Sequence, residues 1–128
     1  GSHIDSTLVA LRPGLILANP GRLSPETIPP FLKDWEVIFS PPMENQSRHS
    51  QEYLQQAIGS EWIDMNLFSL GPDTVVVDSD QRALIALLEA KQMEVIPLKL
   101  RHSRMLGGGF HCVTLDTRRR GTMESYFS

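Results

Sequence analysis

The chain has 128 residues, 41% hydrophobic and 21% charged, with a formal net charge of −3 and a pI near 5.8. This length supports one core, the composition is that of a soluble globular domain rather than a disordered one, and the acidic balance argues against general nucleic-acid binding. No apolar run reaches the roughly 18 residues of a membrane span, no secretory leader is visible, and the single cysteine, Cys112, cannot form an internal disulfide, which points to a reducing, cytoplasmic setting.

In chain order, Gly1-Ser2-His3 fits the remnant of a removed affinity tag, which leaves the native status of His3 open. The abrupt entry into a β-rich segment reads as a chain cut from something longer. In "HIDST", residues 3 to 7, His3 and Asp5 stand two apart and would share one face of a strand, where one could shuttle a proton and the other hold a cation. The plainer alternative is an N-terminal histidine without a role. A first unit of strand, tight turn, strand, helix and strand then runs to about residue 41. Its turn is Arg12-Pro13-Gly14, its buried strand is Leu15-Ile16-Leu17, and Pro29-Pro30 confine its helix to a turn or two before Trp35.

Residues 42 to 61 read as a Pro-rich, polar connection with a short helix around Gln51 to Ile58. Connections of this length in a small domain are functional more often than short ones. Residues 62 to 100 form a second unit, in which "LFSLGPDTVVVDSDQRALIALLEAKQMEVIPLK" parallels "LVALRPGLILANPGRLSPETIPPFLKDWEVIFSP". Gly71-Pro72-Asp73 stands over Arg12-Pro13-Gly14, and Val75-Val76-Val77 reads as the buried strand. Asp78 or Ser79 is placed to cap a helix whose apolar face carries Leu84, Leu87 and Leu88. A period of about 58 residues belongs to repeat architectures in which neighbouring units share their burial.

The last block, 101 to 128, holds "LGGGFHCVTLD", with a trailing strand expected over Phe110 to Leu115. From composition alone Cys112 reads as a small buried residue on that strand. The run Gly107 to Gly109 argues instead for a thiol that a ligand approaches, since glycines leave backbone N–H groups unshielded. His111 adjoins Cys112, but successive strand residues face opposite sides, so His111 is read as packing or bonding the backbone, and a base for Cys112 must come from elsewhere. Arg118-Arg119-Arg120 reads as a solvated or carboxylate-paired run, and His49 and His102 as surface residues. No metal-ligand spacing of Cys and His and no phosphate loop is present.

The segment "RHSRMLGGGFHCVTLDTRRRGTMESYF" (101 to 127) resembles the C-terminal signature of glycine amidinotransferases. "HIDST", "NPGR" (19 to 22) and "SEWIDMNLFSLG" (60 to 71) resemble the preceding blocks in the same order, so the likeness covers essentially the whole chain and the last third or so of such an enzyme. The resemblance implies an α/β fold, a partial pentein or α/β propeller of about two ββαβ modules plus a trailing strand. It implies that Cys112 is the nucleophile on the guanidinium carbon of arginine and His3 the general acid/base. It further implies that Asp5 clamps the guanidinium, that Arg22 binds the α-carboxylate, and that Ser60, Gly108 and Gly109 lie at the substrate. The first of the family's two substrate-contacting serines falls on Gly59, a departure from the pattern. Arginine and an acceptor amine are the implied small-molecule partners, with no metal and no cofactor.

The family's acidic residues upstream of the His-x-Asp block have no counterpart in this sequence. The isolated chain is therefore expected to lack activity, and to form a homo-oligomer or associate with missing modules that cover its open faces. Two other readings stand beside this one. An arginine-processing hydrolase of the same superfamily would resolve the same intermediate with water, and a non-catalytic fragment would act as an oligomerising or partner subunit.

Overall fold

The structure, a computed structural model, describes residues 4–44 and 55–121. Two proline-centred turns reverse the chain, and each reversal builds one small sheet. Strand β1 (Leu8–Arg12) pairs antiparallel with β2 (Leu15–Ala18), which pairs parallel with β3 (Glu36–Phe39). Strand β4 (Phe68–Ser69) pairs antiparallel with β5 (Thr74–Asp78), which pairs parallel with β6 (Glu94–Leu98). Gly14 closes the first turn at φ 83°, a left-handed conformation that costs a glycine little. Its carbonyl accepts the Glu36 N–H at 2.8 Å, and in the second unit Asp73 accepts the Glu94 N–H at 2.7 Å in the same way.

The middle strands are the apolar runs of the sequence, and they lie in the interior. Leu15 to Ala18 are all buried, as are Val75, Val76 and Val77. Leu11, Leu15, Leu17 and Ile38 of the first unit join Met65, Leu67, Val75, Val77, Leu84 and Leu88 of the second in one cluster. The two units therefore share a single core, and the expected α/β architecture is borne out. No helix among the described residues is long and apolar enough to cross a membrane.

The crossovers differ. The first has only two single-turn 3-10 segments, Pro25–Thr27 and Pro30–Leu32, because its prolines withhold the N–H donors a longer helix needs. The second is helix α1 (Arg82–Ala90), which buries Leu84 and Leu88 and packs Ile85 and Leu87 on the core. The expectation that Asp78 or Ser79 caps this helix is not met. Asp78 ends β5, and its carboxylate accepts the N–H groups of Asp80 at 2.9 Å and Leu100 at 3.2 Å, with Lys99 beside it. The helix starts one step after Gln81, which is buried and makes no cap bond.

Two further expectations are corrected. Residues Ile4–Ser6 form a 3-10 turn, not a strand, so the shared strand face read for His3 and Asp5 does not exist, and His3 itself lies outside the described residues. The trailing strand over Phe110 to Leu115 is absent. A short helix α2 (Ser103–Leu106) is followed by turns through Val113, and the Thr114 hydroxyl donates back to the carbonyls of Phe110 at 2.9 Å and His111 at 3.0 Å. Those local bonds serve the backbone that a sheet partner would otherwise satisfy. Residues 45–54, which hold His49 and the first half of the helix read around Gln51 to Ile58, are outside the described residues, and residues 55–56 are helical.

Candidate active site around Cys112

Each of the three glycines before the cysteine answers a different demand. Gly107, at φ 71°, ends α2 in the left-handed cap conformation, and its N–H and that of Gly108 both donate to Ser103 O, at 2.8 and 3.2 Å. At Gly108 a Cβ would stand 3.0 Å from Cys112 Cβ, so the missing side chain makes room for the thiol. At Gly109 a Cβ would meet Asn66 O at 2.5 Å and Asn66 Cβ at 2.7 Å. Here it is the chain itself that comes close: Gly109 packs directly on Asn66.

That contact fixes the cysteine. Asn66 is buried at the end of the 3-10 turn Ile63–Met65, and its Oδ1 accepts the Cys112 N–H at 3.0 Å. Its backbone carbonyl accepts the His111 N–H at 3.2 Å. Its Nδ2 donates to Asp5 Oδ2 at 2.7 Å. The Cys112 side chain is exposed, and the residue lines a hollow of about 330 Å³ together with Gly107, Gly108, His102 and Val113. A second hollow of about 310 Å³ holds Asp5 and His111.

The strand argument misplaces His111. Because residues 110–113 turn, its ring comes back over the first unit, and Nδ1 lies 3.1 Å from Asp5 Oδ2. The Asp5 side chain is 25% exposed and so remains open to a ligand while held by two partners.

Arg22 supports the same turn. The loop Asn19-Pro20-Gly21-Arg22 folds around Asn19, whose Oδ1 accepts the Gly21 N–H at 2.8 Å and whose Nδ2 donates to Ser6 O at 2.7 Å. Arg22 NH1 then donates to the hydroxyls of Ser6 at 2.9 Å and Thr7 at 2.8 Å. Ser60 sits at the start of the other turn, its Oγ accepting the Trp62 N–H at 3.2 Å. The departure at Gly59 has a steric cause, since a Cβ there would lie 2.7 Å from the carbonyl oxygen of Arg104. Arg119 pairs with Asp116 at 2.6 Å and donates to Ser69 O at 2.8 Å, which bears out the carboxylate-paired reading of the arginine run at this residue.

The structure thus joins Asp5, Gly109 and Cys112 through Asn66, sets Gly108 against Cys112, and ties Arg22 to Ser6 and Thr7, the two residues after Asp5. Asn66 and the contact of His111 with Asp5 are what the sequence did not disclose. One signal was available for Asn66: "Ile-Asp" occurs twice, at residues 4–5 and 63–64, and aligning the two places Asn66 opposite Thr7, in the segment that carries Asp5. Among the described residues no group of three His, Cys, Asp or Glu side chains could hold a metal ion.

No family model matches the chain. Inosamine-phosphate amidinotransferase 1 of Streptomyces glaucescens is 46% identical over 125 residues, which are 98% of this chain and 35% of the relative. Mitochondrial glycine amidinotransferase of Xenopus tropicalis is 36% identical over 126 residues, covering 98% of this chain and 29% of the relative. The solved inosamine-phosphate amidinotransferase from Streptomyces griseus superposes with a TM-score of 0.88 at 50% identity, over 98% of this chain and 35% of that one. The chain spans about a third of the length of the relatives it matches.

Proposed function

With homology to the amidinotransferases as the premise, we propose that this chain carries the nucleophile and part of the guanidinium clamp of an enzyme that moves the amidino group of arginine to an acceptor amine. The observation that supports it is the joint anchoring of an exposed thiol and a part-exposed carboxylate on one buried amide: Cys112 N–H and Asp5 Oδ2 are both bonded to the side chain of Asn66.

In this reading the Cys112 thiolate attacks the guanidinium carbon, and the bond from that carbon to the ornithine nitrogen breaks as that nitrogen takes a proton from His3. The amidino-cysteine is then attacked by the acceptor amine, which loses a proton to His3, and the thiolate leaves. A guanidinium is a planar cation with several N–H donors, and a carboxylate recognises it with paired, charge-assisted hydrogen bonds. Asp5 supplies one such carboxylate. The same cation, held beside the sulfur, favours the thiolate over the thiol. Arg22 is assigned to the α-carboxylate of arginine, and Ser60, Gly108 and Gly109 to the surface on which the substrate lies.

A full clamp calls for a second carboxylate, and Asp5 is the only acidic side chain bonded into the Asn66 cluster among the described residues. We therefore expect the isolated chain to be catalytically inactive and to associate, as an oligomer or with further modules. Apolar side chains such as Phe31, Leu106 and Leu115 are more than half exposed, which is surface that a partner would cover. An exposed free thiol suits a reducing compartment such as the cytoplasm.

The experiment is protection of Cys112 from iodoacetamide by arginine. Arginine is expected to slow alkylation saturably, and Arg22→Ala to weaken protection by arginine more than by agmatine, which has no carboxylate. Alkylation indifferent to arginine at every concentration refutes guanidinium binding at this cysteine.

A further inference from the structure

Asn66 has no part in the chemistry described above, yet its side chain bonds two of the residues assigned to that chemistry. It is 2% exposed. Three of its polar groups go to three residues of the site: the carbonyl oxygen to the backbone of His111, Oδ1 to the backbone of Cys112, and Nδ2 to the carboxylate of Asp5. Gly109 is packed so closely on it that no Cβ fits between them. The partners lie 46 and 61 residues away in sequence, on opposite sides of Asn66.

A buried amide that accepts from one group and donates to another has its orientation determined by both. Reversing its ends would set Nδ2 against the Cys112 N–H and Oδ1 against the carboxylate, two repulsions in place of two bonds. The amide therefore cannot rotate without losing both partners. It also delivers an N–H dipole to Asp5, which offsets part of the charge of that carboxylate.

We propose that Asn66 is a positioning residue, a buried amide that sets the distance between the guanidinium-binding carboxylate of Asp5 and the nucleophile Cys112 and moderates the charge between them. This rests on the roles assigned to Asp5 and Cys112 under Proposed function. It makes a claim of its own, that the state of residue 66 governs the reactivity of the thiol before any substrate is present.

The structure supplies a matched control. Gln81 Nε2 donates to Asp64 Oδ2 at 2.8 Å, a buried amide–carboxylate bond in which neither side chain bonds Cys112 or Asp5 directly. The test measures the rate of Cys112 alkylation by iodoacetamide against pH, without arginine, for the unaltered chain, Asn66→Asp and Gln81→Glu. Each substitution replaces an amide by a carboxylate that faces a carboxylate.

Asn66→Asp is expected to slow alkylation about ten-fold at pH 7 and to move its rise to higher pH, through the charge added beside the thiol. Gln81→Glu is expected to give the unaltered profile even though it lowers the melting temperature. If Asn66→Asp does not fold, Asn66→Ser carries the test. Its hydroxyl reaches neither partner, and it should slow alkylation about three-fold at pH 7 while the Cys112 amide loses its protection from hydrogen exchange. Profiles that coincide for all variants, or that shift equally for the residue 66 variant and Gln81→Glu, overturn the proposal. Arginine protection of the unaltered chain is a separate measurement. Its failure removes the guanidinium-binding reading and leaves the pH comparison to decide whether Asn66 governs the thiol.

Discussion

The two units begin alike and use the likeness differently. Ile4–Ser6 leads into β1 and Ile63–Met65 into β4, each a single 3-10 turn with aspartate as its second residue. Asp64, in the second turn, is buried and accepts from Gln81 at 2.8 Å and from Ser103 at 3.4 Å. It ties helices α1 and α2 to the turn. Asp5, in the first, is part exposed and accepts from Asn66 and His111. The same carboxylate at the same step of the same motif is enclosed in one unit and left open in the other. The difference lies in the chain downstream of each turn: the second turn is tied to the start of a full helix and, through Ser103, to α2 of the last block, whereas the proline-broken crossover of the first unit has no helix of that size.

The comparison breaks most decisively if the open side turns out to matter for stability and not for chemistry. In the active protein Cys112→Ser should lower ornithine release from arginine by several orders of magnitude while leaving the melting temperature unchanged, because the exposed side chain fills no part of the core. A Ser variant that keeps its turnover removes the nucleophile assignment.

The aspartates themselves give the next test. Asp64→Ala strips the buried side chain of Gln81 of its acceptor and should cost about 2–3 kcal/mol in urea unfolding. Asp5→Asn should cost less than about 1 kcal/mol, because its site is part solvated, and should instead abolish protection of Cys112 by arginine. Equal stability losses for the two would mean that both turns are structural.

The smallest contrast lies within the glycine run. Gly109→Ala must displace Asn66 and should cost about 1–3 kcal/mol, with a change in Cys112 alkylation. Gly107→Ala, strained only by its positive φ, should cost about 1 kcal/mol and leave alkylation unaltered. An equal effect of both on the thiol would detach its reactivity from Asn66.

The scaffold was legible because its signals are local. Pro13-Gly14 and Pro72-Asp73 name their turns, the triplets Leu15-Ile16-Leu17 and Val75-Val76-Val77 name the buried strands, and Pro29-Pro30 announce a crossover without a long helix. The site was legible only in part. "FHCVTL" alternates as an edge strand does, but a strand needs a neighbour, and the adjoining glycines and the Thr114 hydroxyl satisfy the backbone without one. With the strand gone, His111 returns toward Asp5, a contact between residues 106 apart that no periodicity encodes. Asn66 escaped for the same reason. An asparagine after a 3-10 turn carries no local mark of what its amide reaches.

Those separations set the site apart from the strand pairs. Within each unit the strand pairs close short loops, whereas the bonds that join Asp5, Asn66, Cys112 and His111 span 46, 61 and 106 residues. Contacts of that reach carry a larger loop-closure cost than local ones. The two sheets share one core, and the constellation draws on both units at once. Cys112 and Asp5 are therefore held together only where one unit is docked on the other, and the pairing that would give them a common task depends on that docking.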